Sequence, residues 1–129
     1  PATPQRRDTG DISPVRVVSA HLDSTRKGAR RQQLADNKEV INRSPSPIIQ
    51  MGDVNEEWLP DDSVVRRLVD EAGMTAYQPE SDRLASYKTS RLDWIFISEE
   101  LEFVTYRTVQ DQVSDHRLVV AELRWSRGS

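Results

Sequence analysis

Both histidines of the chain lie beside or near carboxylates, in places where apolar runs give way to polar residues. The segments are Ser19-Ala20-His21-Leu22-Asp23, Gly52-Asp53-Val54-Asn55-Glu56, Arg91-Leu92-Asp93-Trp94 and Ser114-Asp115-His116. Their donors suit a hard cation and a phosphate. Carboxylate oxygens bind Mg²⁺ or Mn²⁺, and an amide holds a water or a phosphoryl oxygen. Histidine is the side chain suited to proton work near neutrality, and an imidazole can stabilise charge building on phosphorus.

Each segment taken alone has a plainer role. Asp53 and Asn55 read as turn formers, because Gly-Asp-x-Asn is a turn-like composition. Asp23 reads as the cap of a following helix, His21 as a satisfied core histidine, and Asp115 with His116 as a cap on the last strand. Asp93 differs, since a carboxylate within an apolar run is costly unless paired. A histidine is its natural partner, in a structural pair or a functional one. The case for chemistry rests on all four segments occurring together and in order.

The elements that must position them follow from periodicity. Residues 1–14 carry prolines, a glycine and no apolar period, and are read as a tail or loop. Val15 to Leu22 is a short β-branched run, and Thr25 to Arg43 reads as a surface helix with a thin apolar face. Ser44-Pro45-Ser46-Pro47 breaks that helix. Ile48 to Met51 reads as a strand stopping at Gly52. Val64, Val65, Leu68, Val69 and Ala72 form one helical stripe, with Asp61, Asp62 or Ser63 as cap and Gly73 at the end. Leu92 to Ile97 is apolar at nearly every position, as in a strand covered on both faces. Leu101 to Val109 and Leu118 to Trp125 are two further strands, the last alternating Val119, Ala121, Leu123 and Trp125 with polar residues. This order predicts an α+β, or layered α/β, domain over residues 15–126.

At 129 residues the chain fits one domain. The net charge of −3 gives no general attraction for a polyanion, which weighs against a tight DNA-binding module but not against a metal enzyme. No cysteine is present, so disulfides and thiolate metal sites are excluded while the compartment, cytoplasmic or secreted, stays open. No apolar run approaches membrane-spanning length, so the segment reads as soluble. Trp58 reads as a packing residue. Arg83, Lys88 and Arg91 read as a solvated basic face.

The order His-Leu-Asp, Gly-Asp-x-Asn, Leu-Asp-Trp-Ile-Phe and Ser-Asp-His, from about Val15 to Trp125, resembles the C-terminal half of the endonuclease/exonuclease/phosphatase, or DNase I-like, superfamily. The resemblance implies half of a four-layer α/β/β/α sandwich and a Mg²⁺- or Mn²⁺-dependent phosphoester hydrolase. Its substrate would be a nucleic acid, a phospholipid headgroup or a small phosphoester. By the same resemblance Asp53 orients or activates the attacking water, and Asn55 holds the phosphate. His116 contacts the scissile phosphate as a candidate base, and Asp93 orients it. Asp115, with Asp53, binds the metal, and His21 is a second phosphate contact.

The family's metal site is completed by an upstream Asn and Glu. Residues 1–14 offer neither, and Asp8 and Asp11 lie in a loop-like stretch. The expectation is a half-domain with one bare sheet face, needing an N-terminal half or a self-associated copy. The alternative is a non-catalytic interaction domain that uses that face.

Overall fold

The structure, a computed structural model, describes residues 15–21, 27–43, 47–59, 63–81 and 83–126. β1 (Arg16–His21), β2 (Ile48–Asp53), β3 (Thr75–Ala76) and β4 (Asp93–Ile97) form one sheet in the order β1-β2-β4-β3. β1 runs parallel to β2, and β4 is antiparallel to both β2 and β3. The parallel pair requires a crossover, supplied by α1 (Lys27–Arg43). A second helix, α2 (Val64–Ala72), joins β2 to β3, and β5 (Leu101–Val109) pairs with β6 (Leu118–Trp125) as an antiparallel hairpin.

The sheet has two faces because side chains alternate along each strand. One face, with Ile48, Trp94, Phe96 and Ala76, packs on the helices through Ile41, Val64, Val65 and Leu68. The other, with Ile49, Ile95 and Ile97, packs on Leu101, Tyr106, Val119, Leu123 and Trp125 of the hairpin. β4 is therefore buried on both sides, as its unbroken apolar run predicts. Trp58 packs against the helix-side core, with the Arg66 guanidinium 4.2 Å above its ring.

α2 starts and stops where its sequence says. The Ser63 hydroxyl accepts the Arg66 N–H at 3.2 Å, and Gly73 takes φ 68° and returns its own N–H to the helix. Asp61 and Asp62, the alternative caps, lie outside the described residues, as do the 1–14 tail and Asp23.

Three expectations change. β2 does not stop at Gly52 but runs on to Asp53, because Gly52 is held between Ala20 of β1 and Trp94 of β4. Arg91 is not part of a solvated face: it is 4 % exposed, donates to the Tyr77 and Gln78 carbonyls, and lies 3.9 Å over the Trp94 ring. The second sheet face is not wholly bare either. The hairpin covers it at β4, leaving Val17 and Met51 open at 58 % and 38 % exposure.

Candidate active site

The site forms where β2 and β4 meet. The Val54 N–H donates to the Leu92 carbonyl at 3.0 Å, astride the Asp53–Asp93 pair. That makes Asp53 and Asp93 a non-hydrogen-bonded pair, the arrangement in which opposed side chains come closest. Two carboxylates there repel unless a donor separates them. β6 supplies one from its entry: His116 Nδ1 lies 2.5 Å from Asp93 Oδ2, and Nε2 lies 3.8 Å from Asp53 Oδ2. A carboxylate can only accept, so Nδ1 carries the proton of the short bond.

His116 is held above the ordinary imidazole pKa, first by the Asp93 hydrogen bond, with the charges of Asp93, Asp53 and Asp115 adding and partial burial opposing. The Tyr87 ring sits 4.8 Å from the imidazole, tilted by 40°. Beside the pair opens a cavity of ≈ 340 Å³ whose wall includes Ser19, Met51, Ile95 and Leu118 along with Asp93 and His116. The acid–histidine grouping is thus at a surface that a ligand can reach.

Asn55 takes a left-handed backbone, φ 55°, and its N–H donates to Asp53 Oδ1 at 2.9 Å. Asparagine tolerates that conformation better than most residues. The turn-forming role therefore exists, and it fixes the Asp53 carboxylate. The backbone of His21 is in register with Asp53, so the His21, Asp53 and Asp93 positions form a row across three strands. The His21 side chain lies outside the described residues.

Among the described residues, Asp53, Asp93 and His116 have candidate ligand atoms all within 4.8 Å of one another. Asp93 is committed to His116 by the short bond. Asp53 has one oxygen on the Asn55 N–H and the other 3.8 Å from His116 Nε2, and exposed Asp115 adjoins His116 in sequence without joining the close group. Mg²⁺ needs only one or two protein carboxylates beside water and phosphate, so this donor set fits such an ion. Sequence reasoning missed Ser86, Tyr87 and Arg117, which surround the pair. A serine and a tyrosine in a polar loop carry no signal of that placement.

No known family model matches the sequence, and neither does any curated protein. Solved structures do. A functionally unknown conserved protein from Enterococcus faecalis V583 superposes with a TM-score of 0.69 and 19 % identity, over 92 % of this chain and 53 % of that one. The human Nocturnin catalytic domain gives 0.65 and 17 %, over 95 % and 50 %. An endonuclease/exonuclease/phosphatase from Bacteroides vulgatus gives 0.62 and 19 %, over 95 % and 53 %. The chain has the DNase I-like fold of these proteins and spans about half their length. The expected resemblance is therefore borne out at the level of fold.

Proposed function

We propose that the chain is the C-terminal, residue-bearing half of a Mg²⁺- or Mn²⁺-dependent phosphoester hydrolase of the endonuclease/exonuclease/phosphatase family. The observation that carries this reading is the imidazole of His116, bonded through Nδ1 to Asp93 with Nε2 turned toward Asp53. The solved Nocturnin domain, which shares the fold, has a sulfate anion bound. That is compatible with a phosphate-sized ligand here.

In this reading water attacks phosphorus and the P–O ester bond breaks. Asp53 orients the water, and His116 either takes its proton or braces the phosphate, with Asp93 fixing the ring's tautomer and direction. Asn55 and His21 contact phosphoryl oxygens. Asp53 and Asp115 would hold the cation, which when bound neutralises phosphate charge. The upstream half would complete the cation's ligands. The substrate is a phosphate ester, with nucleic acid, lipid headgroup and small-molecule esters as the classes to compare.

Hydrolysis of bis-p-nitrophenyl phosphate tests the reading, with His116→Ala as the control. Turnover that needs the metal and falls at least about 10²-fold in the variant is the expected result. Equal turnover by both proteins refutes it. A second reading, a non-catalytic interaction domain, is favoured by the exposure of Val17 and Met51. Silence of the protein even when an N-terminal half is supplied selects that one.

A further inference from the structure

Ser86 has no exposed surface, and its polar atoms tie the start of β4 to the segment that enters β6. Its hydroxyl oxygen accepts the N–H groups of Leu92 at 3.0 Å and Asp93 at 2.9 Å. Its carbonyl accepts the N–H of Arg117, the residue after His116, at 2.6 Å. Its own N–H donates to the Ser90 carbonyl at 3.0 Å, closing a tight turn in which Lys88 has φ 52°. One small residue therefore touches the chain at Asp93 and again beside His116.

The strand geometry explains why an acceptor is needed there. In the non-hydrogen-bonded pair the Asp93 N–H points away from β2. On that side β3 reaches only Ile97 and Phe96, so no strand meets the Asp93 end of β4. A buried N–H left without an acceptor is costly, and the Ser86 hydroxyl provides one. The next residue strengthens the link: Tyr87 bridges backbone-to-backbone with His116, and the Arg117 guanidinium donates to the Ala85 and Lys88 carbonyls.

We propose that Ser86 is a positioning residue for the Asp93–His116 pair, setting the height of Asp93 on β4 against the entry to β6. The inference rests on the hydrolase reading for its kinetic consequence but not for its structural one. Ser86 does not touch substrate; it acts through the two residues that it joins. A hydroxyl-bearing side chain at this place should preserve the pair, and a methyl should not.

The test compares Ser86→Ala with Ser86→Thr. The direct readout is the downfield proton resonance of His116 Nδ1–H, present only while the short bond to Asp93 persists. It should be retained in the wild type and Ser86→Thr and be broadened or lost in Ser86→Ala, in protein whose far-ultraviolet dichroism is unchanged. In assays, Ser86→Ala should lower kcat about 10- to 100-fold with KM little altered, the range for partners that orient a catalytic ligand. An unchanged resonance in folded Ser86→Ala overturns the proposal whatever the activity. A lost resonance in Ser86→Ala, with the wild type silent even when an N-terminal half is supplied, supports Ser86 while refuting the hydrolase reading. Should Ser86→Ala not fold, amide exchange in the wild type decides: protection of the Leu92 and Asp93 N–H groups is expected, and exchange at loop rates overturns it.

Discussion

Two aspartates face each other across β2 and β4, and an imidazole from a distant part of the chain lies against both. In the proposed hydrolase, Asp93 would act by giving direction and charge to the His116 ring. Asp93→Asn should therefore reduce kcat by about 10²-fold or more while KM moves little. Its pH profile carries a second signature. Because the Asp93 bond raises the His116 pKa, the limb on which a neutral base appears should lie above 6.5 in the parent and shift downward in the variant. The stability linkage has a matching sign. A raised folded pKa makes the pair's contribution complete below the unfolded value and removes it as pH climbs through the folded one. Denaturant midpoints across neutral pH should show that fall in the parent and a flatter course in Asp93→Asn. Equal slopes would contradict the assignment.

Residue-level legibility followed burial. A carboxylate inside an apolar strand demands a partner, so the pairing of Asp93 with a histidine could be read from local sequence. Ser86 could not, because what matters is where a two-residue β3 ends, and that is a property of the assembled sheet. Arg91 was misread for a similar reason. Its carbonyl partners on Tyr77 and Gln78 and the Tyr106 ring beside it come from separate segments.

Helices and strands were legible where a face and its punctuation agreed. α2 has a full apolar stripe, a serine at its start and a glycine at its end, and all take the expected places. Replacing Ser63 by Ala should cost about 1 kcal/mol by urea unfolding, since the Arg66 N–H loses its acceptor. No measurable loss would mean that water replaces the cap. β2 was harder to bound. Glycine ordinarily weakens a strand, yet Gly52 here lies between two neighbours that continue the ladder. The hairpin's register shift between Phe103 and Thr105 had no signal in the sequence. The alternation of β6 did, and Val119, Ala121, Leu123 and Trp125 all turn to the core.

At the scale of the molecule, one sheet separates two cores. Phe96 belongs to the helix side and Ile97 to the hairpin side, each essentially without exposed surface. Phe96→Ala should therefore destabilise the protein by about 3–5 kcal/mol. A loss below about 1 kcal/mol would show that the helix layer closes over the gap. The layered class was readable from element order, whereas half of a larger sandwich followed only from the family resemblance. The hairpin's coverage of the second face was not, because strand order alone does not say which sheet a late hairpin joins. Among the described residues no helix is long and apolar enough to cross a membrane.

The closeness of Asp53 to Asp93 also has a meaning for the order of assembly. Until the hairpin docks, the sheet end presents two like charges with nothing between them. Docking packs the half-buried Leu123 and Trp125 against the sheet and, through the same movement, delivers the imidazole that relieves the repulsion. Burial of the second core and neutralisation of the site are thus one cooperative event. Tightening the hairpin should favour the ordered dyad.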